Sequence, residues 1–424
     1  MFPSSPPAQP AAPRRVLLAD ADAFFVAVAR MVDPEGAGRA SLLIVGGSAS
    51  GRGVVCSASY EARKFGVRSA MPTAQAIRLC PRAMVVPVPA ECGAKSRAIA
   101  TVLRRLAPVV APSSIDEWYL DMAGTEELYG GESLYDTAHR IRRAVIDETG
   151  LSVSFGGGSS RLVAKVAVEL AKPKPGTGAS GVHVVAPGEE AAFMTRFKLA
   201  DLPMVGPKFQ QRLAEHDLRT VPDAVAAGLP ALARWFGERE AEWLWARIHG
   251  VDDSPVAERD EQKSVGREDT FAQDLHVDAD LERELVKLAV RVSADLRGDG
   301  LRARTVTVKI RDADFTTRQA GRTLPEAVES ERAVTAVALD LLRELRRRRR
   351  VGVRLLGVTL SGFGEPRPKQ LALFDVGTVA GDPAPTAPVE TERDRTLSRA
   401  MDDIRAKFGA RAIVPAKALD DNDR

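Results

Sequence analysis

The feature that most constrains this chain is a set of carboxylates placed beside short apolar runs. Asp20 closes the apolar run 15–20, and the adjacent pair Asp116 and Glu117 lies inside the segment SSIDEWYLD. Neighbouring side chains of a regular strand point to opposite faces, so this pair can reach one ion only from a turn or a break in the strand. Residues 112–114, Pro-Ser-Ser, supply turn chemistry just upstream. The chain is therefore expected to bring three acids together beside strand ends.

Three oxygen ligands without a nearby His or Cys favour Mg²⁺ or Mn²⁺, which keep waters and take further oxygens from a substrate phosphate. The chemistry that this set predicts is phosphoryl transfer. Three clustered carboxylates also repel one another and raise one another's proton affinity, which argues for a cation between them. An isolated aspartate is more often a surface or capping group, so the prediction rests on the whole set and its flanking sequence.

Hydrophobic periodicity predicts an α+β fold for the first part of the chain. The candidate strands are residues 16–20, 42–45, 54–57 and 152–155. The candidate helices are residues 22–30, 71–79, 95–106, 133–149 and 162–172. The pattern changes after residues 173–176, Pro-Lys-Pro-Gly, and residues 189–250 are mostly short helical patterns. Domain breaks are expected near residues 180 and 255.

The last part of the chain predicts a small separate domain. Residues 304–310 and 353–361 alternate like strands, and a helical pattern at 330–350 lies between them, as in a small βαβ-type domain. Beyond residue 375 the sequence lacks periodic hydrophobicity and predicts a flexible linker, with a final helix at 393–408.

Composition limits the class of protein. A chain of 424 residues with 45% hydrophobic content can fill several cores. Residues 291–369 contain 18 Lys plus Arg against 10 Asp plus Glu. From charge alone, this surplus is equally a polyanion-binding face or a solvated basic surface. The three cysteines lack metal-ligand spacing, so neither a disulfide framework nor a zinc site is predicted, and a reducing cytoplasm is expected. The sequence contains no run of eighteen apolar residues, so it predicts no membrane-spanning helix.

Three segments resemble the motifs of Y-family DNA polymerases. They are ADADAFFVAV at 19–28, VVCSASYEARKFGVRSAMPTAQAIRLCP at 54–81 and SSIDEWYLD at 113–121. The resemblance runs from about residue 15 to residue 374. It implies an α+β multidomain right-hand polymerase with palm, small fingers, helical thumb and α/β little finger. The implied bounds are a leader at 1–14, palm at 15–22 and 89–180, fingers at 23–88, thumb at 181–252, little finger at 257–364, a clamp-binding segment at 365–375, and a linker and C-terminal helix at 376–424.

The implied activity is template-directed, error-prone translesion synthesis without proofreading. The resemblance implies that Asp20, Asp116, Glu117 and the backbone carbonyl of Ala21 bind two Mg²⁺ ions, with Mn²⁺ as a substitute. The nucleotide-binding residues implied by the family are Phe25 as steric gate against the ribose 2′-hydroxyl, with Phe24, Ser57, Tyr60, Arg63, Arg161 and Lys165. For Phe24 alone, core packing is the commoner role.

The sequence departs from the family pattern at two positions near these motifs. Arg161 stands where the family usually has Lys, and Trp118 stands where it more often has a small residue. The helix that follows residues 158–160 should favour an anion at its N-terminus. Asp22 is interpreted as a helix cap, two residues beyond the proposed ligand.

The DNA-binding residues implied by the resemblance lie in the last two domains. Gly206 and Lys208 lie in a segment like the hairpin of a helix-hairpin-helix, although a simple helix-joining turn fits the segment equally well. The little-finger candidates are Lys263, Arg267, Lys309, Arg311 and Arg354. The run 346–350 is first a solvated helix end and only second a phosphate contact.

The segment Gln370-Leu371-Ala-Leu373-Phe374 resembles the short peptide by which bacterial polymerases bind the sliding clamp. The alternative is that its three large apolar side chains fold back on the little finger. The partners implied are primer-template DNA, deoxynucleoside triphosphates and the clamp, with no membrane, for a monomer that acts in the cytoplasm at the nucleoid. A catalytically inactive clamp- and DNA-binding scaffold is the rival function, and the retained acids argue against it. A nucleotide cyclase would leave the thumb and the basic domain unexplained.

Overall fold

The computed structural model describes residues 14–173, 178–258, 262–364, 390–409 and 412–419. The chain divides into two compact units, residues 1–260 and 261–424, and each is described by itself. The strands of the first unit are β1 (Val16–Ala21), β2 (Leu43–Gly46), β3 (Val55–Ala58), β4 (Met84–Val86), β5 (Val109–Pro112), β6 (Glu117–Asp121), β7 (Val153–Gly158) and β8 (Val182–Val184). Its α-helices are α1 (Phe24–Val32), α2 (Tyr60–Arg63), α3 (Thr73–Leu79), α4 (Cys92–Leu106), α5 (Leu134–Thr149), α6 (Arg161–Ala171), α7 (Glu190–Met194), α8 (Pro207–Ala214), α9 (Val221–Ala227), α10 (Leu229–Phe236) and α11 (Glu238–Ile248).

A five-stranded sheet forms the centre of the first unit, in the order β5-β6-β1-β7-β8. The central strand β1 is buried along its whole length, as its uninterrupted apolar run predicts. It pairs antiparallel with β6 and with β7, and this register places Asp20 opposite Glu117 on one side and opposite Ser154 on the other. The sheet therefore joins two distant segments of the sequence at the last residues of β1.

The two faces of this sheet bury different helices. Leu17 and Trp118 point to the face covered by α4 and α5. Val16 and Leu18 point to the opposite face, where they pack with Ala164 of α6. Because side chains alternate along a strand, Asp20 follows Leu18 onto the α6 face. Trp118 is buried on the other face, so the sequence departure at this position lies in the core on the side away from α6.

Helix α6 lies directly against β7 because Gly156 has no side chain. A Cβ at Gly156 would lie 2.1 Å from the carbonyl oxygen of Ala164 and 2.3 Å from the amide nitrogen of Val168. Such distances are far below van der Waals contact, so only glycine permits this approach. The close packing brings the side chains of α6 over the ends of β1 and β6.

The other parts of the first unit surround this sheet. A three-stranded sheet in the order β3-β2-β4 packs its own small core with α2 and α3. Helices α7–α11 form a helical cluster, whose core includes Phe193, Leu213 and Leu244 and is shared with apolar residues of α6. The chain that follows α11 returns to the five-stranded sheet, where Val256 is buried beside Val16 and Tyr119.

The second unit has one antiparallel sheet with helices on one face. Its elements are β9 (Ser264–Leu275), α12 (Asp278–Gly298), β10 (Ala303–Asp312), β11 (Thr317–Val328), α13 (Glu331–Arg348), β12 (Val353–Ser361) and α14 (Glu392–Phe408). The strand order is β11-β10-β12-β9, and all three pairings are antiparallel. Each helical connection therefore joins parallel strands that are separated by one antiparallel strand, the split βαβ arrangement.

The βαβ-type pattern predicted for the last domain is present, but the prediction contained only part of its elements. The strands β9 and β11 and the helix α12 were not predicted, whereas the final helix predicted at 393–408 is α14. Helix α14 packs on the second unit mainly through ion pairs, such as Arg297 with Asp402 at 2.6 Å and Arg405 with Glu331 at 3.0 Å.

Candidate active site

The three predicted acids lie at the ends of two neighbouring strands. Asp20 is the fifth residue of β1, and Glu117 is the first residue of β6 and its register partner. Asp116 lies in the turn just before β6, and its backbone carbonyl accepts a hydrogen bond of 2.9 Å from the amide of Ala21. As the sequence predicted, the pair lies at a break in the strand: Asp116 is in the turn and Glu117 begins the strand.

The turn before β6 holds the Asp116 carboxylate by a local contact. The hydroxyl of Ser114 donates to Asp116 Oδ1 at 2.5 Å, and the amide of Ser113 donates to the carbonyl of Glu117 at 2.8 Å. Asp116 is partly exposed, whereas Asp20 is only 6% exposed. One acid is thus buried at the sheet and another is presented from a turn beside it.

Two lysines of α6 and its C-cap neutralise the strand-end acids. Lys172 Nζ lies 2.9 Å from Asp20 Oδ2 and 2.5 Å from Glu169 Oε1. Lys165 forms an ion pair with Glu117. Lys165 was predicted from its place in the motif, but Lys172 was missed. The spacing of seven residues, two helical turns, was the signal that places both lysines on one face of the same helix.

Burial dominates the electrostatics of this cluster. It raises the pKa of Asp20 to about 7; the neighbouring ammonium of Lys172 opposes the shift and the charge of Glu117 adds to it. Burial alone would lower the pKa of Lys172, but the carboxylates of Asp20 and Glu169 outweigh it and raise that pKa. The Lys172 ammonium is therefore firmly charged, and the Asp20 carboxylate lies where an additional cation is favoured.

The donor set fits a hard divalent cation. Carboxylate and carbonyl oxygens are the ligands that Mg²⁺ and Mn²⁺ prefer, and two ammonium groups already stand at Asp20 and Glu117 where positive charge is required. Within the described ranges, no group of three His, Cys, Asp or Glu side chains is gathered tightly enough to hold an ion. Sharing an ion therefore requires the carboxylates of Asp20, Asp116 and Glu117 to move closer together.

Helix α1 places two neighbouring phenylalanines in different surroundings. Phe24 is 1% exposed in the core of the five-stranded sheet, so its ring is withdrawn from any nucleotide. The first helical residue after the turn points into the core, so only the backbone of Phe24 is left to contact a nucleotide, and its inclusion among the nucleotide-binding residues stays a prediction. Phe25 is partly exposed, and its ring meets that of Phe24 edge-on at 5.5 Å. Phe25 keeps the exposure that a gate against the sugar requires.

The segment with Ser57, Tyr60 and Arg63 lies at the junction of β3 and α2. Ser57 is 5% exposed, whereas Tyr60 and Arg63 are partly exposed. The guanidinium of Arg63 lies 5.1 Å from the centre of the Tyr60 ring and donates to the carbonyl of Ala58 at 2.9 Å. Burial raises the pKa of the Tyr60 phenol, and the charge of Asp22 raises it further. Tyr60 therefore lies close enough to Asp22 and Asp20 for their charges to raise its pKa.

Arg161 does not join Lys165 at the acids. Its guanidinium lies 4.3 Å from the centre of the Tyr119 ring and donates to the carbonyl of Pro255 at 3.2 Å. The anion at the N-terminus of α6 is the carboxylate of Asp252, which accepts from the amide of Leu162 at 3.2 Å. Both the arginine and the helix N-terminus therefore hold the segment after α11, and the nucleotide-binding role of Arg161 stays a prediction.

Asp22 is not a helix cap, and that interpretation was wrong. The N-cap of α1 is Ala23, which makes no side-chain capping bond. The Asp22 carboxylate instead accepts hydrogen bonds from Ser152 and Ser154 of the neighbouring segment at 2.6 Å and 2.7 Å. The chain turns at Ala23 in the left-handed region, with φ at 45°, so Asp22 points back to the sheet.

The predicted DNA-binding hairpin precedes α8. Gly206 is the N-cap of this helix, and Lys208 is exposed in its first turn. Met204 in the same hairpin has φ at 68° and is 77% exposed. The helix begins with Pro207 at an exposed end, so free amide groups and one lysine share the same surface.

The cations predicted for the little finger divide between two sides of the second sheet. Lys309 and Arg311 alternate with the core residue Ile310, and so lie on the face opposite the helices. Arg354 lies 4.7 Å from the centre of the exposed Phe315 ring. Arg267 belongs to the helical side, where it pairs with Asp295 of α12. Lys263 is exposed just before β9.

Two predicted segments lie outside the described residues. They are the leader, of which residues 1–13 are not described, and the clamp-like segment with Gln370, Leu371, Leu373 and Phe374. None of the described helices is long and apolar enough to cross a membrane.

Comparison with known proteins gives a consistent result. Residues 19–169 match the impB/mucB/samB family, and residues 262–373 match the C-terminal domain of that family. DNA polymerase IV of Dehalococcoides mccartyi (strain CBDB1) is 36% identical over 401 residues, which are 94% of this chain and 96% of the relative. DNA polymerase IV of Alkalilimnicola ehrlichii is 38% identical over 366 residues, 85% of this chain and 99% of the relative.

Solved structures give the same fold. The Y-family DNA polymerase chimera Dbh-Dpo4(243-245)-Dbh has a TM-score of 0.71 at 25% identity and covers 82% of this chain and 99% of its own. The insertion ternary complex of Dbh DNA polymerase has a TM-score of 0.56 at 26% identity with the same coverage. Since these similarities extend over most of both chains, this chain belongs to the impB/mucB/samB family, among the Y-family DNA polymerases.

Proposed function

We propose that the chain is a template-directed DNA polymerase that adds deoxynucleotides to a primer 3′ end at the paired acids Asp20 and Glu117. The observation that carries this assignment is the register of β1 and β6, which sets the two acids opposite each other under two lysines from one helix. Asp116 in the adjoining turn and the carbonyl of Ala21 complete the proposed ligand set. Its metals are two Mg²⁺ ions, with Mn²⁺ as a substitute.

These residues would hold the two divalent ions, which would supply activation of the primer hydroxyl and stabilisation of the departing pyrophosphate. Lys165 and Lys172 pair with Glu117 and Asp20, and their ammonium groups are proposed to neutralise triphosphate oxygens beside the metal ions. Burial raises the pKa of Asp20, and the ammonium of Lys172 opposes this shift and so favours the carboxylate form that a metal ligand needs. The position of the two lysines on α6 depends on the close packing of that helix at Gly156.

Substrate choice is proposed to rest on the segment between β1 and α3. Phe25 blocks the ribose 2′-hydroxyl by filling the space that this oxygen needs. Tyr60 and Arg63 supply a hydroxyl and a guanidinium to the triphosphate, and the contact between their side chains keeps them together. Ser57 is buried in β3, three residues before Tyr60, and is also proposed to bind the nucleotide.

DNA is proposed to bind through backbone phosphates at two surfaces. One is the exposed hairpin with Gly206 and Lys208, whose amides and ammonium favour an anion without reading sequence. The other is the open face of the second sheet with Lys309, Arg311 and Arg354. Lys309 is paired with Glu268 across this exposed face. A pair of this kind contributes little stability and exchanges readily for a phosphate.

The cellular role proposed is error-prone translesion synthesis in DNA damage tolerance, without proofreading. Gln370, Leu371, Leu373 and Phe374 are proposed to tether a monomeric polymerase to the sliding clamp, which raises its local concentration on DNA near the nucleoid. Substituting Leu373 and Phe374 by Ala should abolish stimulation by clamp and leave extension without clamp intact. Equal stimulation of the variant would show that the segment does not bind the clamp. An inactive scaffold would have no need for charged acids and lysines at the strand ends.

Primer extension tests the main proposal. On undamaged and lesion-containing templates, the wild-type chain should incorporate nucleotides with Mg²⁺ and with Mn²⁺, whereas Asp116→Ala should lose at least about 100-fold in rate because a ligand is gone. Asp136→Ala, which changes a carboxylate at the exposed start of α5, is the matched control. An Asp116→Ala variant that extends primers like this control would contradict the assignment.

A further inference from the structure

A third aspartate near the strand ends, Asp22, is neither a proposed metal ligand nor a helix cap. It is only 7% exposed. The hydroxyl of Ser152 donates to its Oδ2 at 2.6 Å, and the hydroxyl of Ser154 donates to its Oδ1 at 2.7 Å. Both oxygens are thus held by hydroxyls of one neighbouring segment, and the carboxylate faces that segment.

The charge of Asp22 has no basic counterpart in the part of the chain that the structure describes. Asp20 and Glu117 have Lys172 and Lys165, but no ion pair joins Asp22 to a lysine or arginine there. A buried carboxylate without a cation is costly, and two neutral hydroxyls compensate it only partly. A serine or an asparagine could fasten the two segments without this charge, so the charge itself calls for a function.

The backbone around Asp22 is fixed on both sides. Its amide donates to the carbonyl of Ser152 at 2.9 Å, and the amide of Ala21 donates to the carbonyl of Asp116 at 2.9 Å. Ala23 then adopts the left-handed conformation, which an alanine adopts only when its surroundings impose it. These contacts decide where the Asp20 carboxylate and the Ala21 carbonyl point.

We infer that Asp22, fastened by Ser152 and Ser154, is a positioning residue that holds the Asp20–Ala21 turn in the geometry for binding divalent cations. Its uncompensated negative charge also raises the affinity of the site for those cations. The inference rests on the proposed function, because it assumes that Asp20 and Ala21 are ligands. It adds a residue that acts through them and does not itself touch the ion.

Direct binding of Mn²⁺ to the full-length chain separates the positioning role of Asp22 from the proposed metal site on which it rests. Free Mn²⁺ is measured by electron paramagnetic resonance during titration, which requires no turnover. Asp22→Ala should weaken Mn²⁺ binding about 10-fold to 100-fold, as substitutions behind metal ligands commonly do. Asp22→Asn, which keeps the shape and one acceptor oxygen, should recover part of this loss. Ser154→Ala should give a smaller loss, since Ser152 remains.

The matched control is Ser133→Ala. Ser133 Oγ donates to the Asp136 carboxylate at 2.6 Å at the start of α5, so this variant removes a similar hydroxyl–carboxylate bond away from the strand ends. It should bind Mn²⁺ like the wild type. If Asp22→Asn and Ser154→Ala both bind Mn²⁺ as this control does, the positioning role is wrong, even if Asp22→Ala fails to fold. If Asp116→Ala binds Mn²⁺ as tightly as the wild type does, the proposed metal site is wrong, and the inference falls with it.

Discussion

The five-stranded sheet of the first unit and the four-stranded sheet of the second unit place charge in opposite ways. The first sheet buries Asp20 at a strand end and matches it with a lysine from a helix packed at van der Waals distance. The second sheet leaves one face open, where Lys309 pairs with Glu268 near solvent. Buried charge is costly and must be held in one geometry, whereas exposed charge is inexpensive and adaptable.

This difference indicates a division of work within the polymerase. Phosphoryl transfer requires groups fixed to within a fraction of an ångström, and the first sheet is proposed to provide them. Holding the DNA backbone in any sequence requires many exchangeable contacts, and the open face of the second sheet is proposed to provide those. Variants of the first sheet should therefore alter the rate of chemistry, and variants of the second should alter DNA affinity and its dependence on salt.

Among residues that are not proposed metal ligands, the largest effect is expected from Lys172→Ala. The substitution leaves Asp20 buried without its ammonium partner and removes a charge proposed to meet the triphosphate, so the single-turnover incorporation rate should fall at least about 100-fold. Lys407→Ala, an exposed lysine at the end of α14, is the control and should leave the rate unchanged. Equal rates for both variants would remove Lys172 from the active site.

Next in size is the effect of Phe25→Ala on sugar choice. Opening the space beside the sugar should reduce discrimination between deoxynucleotide and ribonucleotide at least about tenfold, measured as the ratio of incorporation efficiencies. Phe24→Ala is the matched neighbour. It should lower the free energy of unfolding by about 3–5 kcal/mol through a core cavity and leave discrimination unchanged. If Phe25→Ala leaves the ratio of incorporation efficiencies unaltered, Phe25 does not act as the gate against the ribose and has only a packing role.

A smaller effect is expected on the open face of the second sheet. Arg311→Ala should weaken primer-template binding several-fold and reduce the slope of log affinity against log salt by about one phosphate contact. Arg267→Ala tests the position of the face, because Arg267 pairs with Asp295 on the helical side and should not change the slope. Equal slopes of log affinity against log salt for the two variants would show that DNA does not bind at the open face of the second sheet.

The smallest effect concerns α14 at acid pH. Hydrogen bonds from Arg332 and the Thr391 backbone lower the pKa of Asp394 to about 2, so its ionised form favours the docked helix. This contribution is complete above the unfolded pKa of 3.8 and is lost as the pH falls towards 2. Amide exchange in α14, corrected for the intrinsic rate, should accelerate over that range, and Asp394→Asn should flatten the dependence. Uniform protection from pH 6 to about 3 would contradict this coupling.

The elements that the sequence predicted well are those with a single strong period. The apolar run of β1 and the helical patterns of α5 and α6 differ by only one or two residues from the elements observed. The two strands missed in the second unit, β9 and β11, lie at the edges of its sheet and are mostly exposed, so their sequences lack alternation; Pro325 within β11 weakens the strand signal further. Helix α12 carries buried residues at helical spacing, including Leu281, Leu285 and Leu288, so its signal was present and was overlooked.

The candidate site was predictable only as far as local motifs extend. The motifs predicted that Asp20, Asp116 and Glu117 lie together beside strand ends, but the partners of these acids depend on packing between distant segments. Lys172 reaches Asp20 because α6 lies against β7, a contact of tertiary structure alone. Arg161 fits the motif equally well and is instead drawn to Tyr119 and Pro255.

The measurement that tests the central claim most directly is single-turnover incorporation by Glu117→Gln beside its DNA affinity. The substitution keeps the size of the side chain and removes the charge that pairs with Lys165 and is proposed to bind metal. The division of work between the two sheets predicts a loss of at least about 1000-fold in rate with Mg²⁺, at nearly unchanged affinity for primer-template DNA. A near-normal rate, or a loss of rate explained by weaker DNA binding, would contradict it.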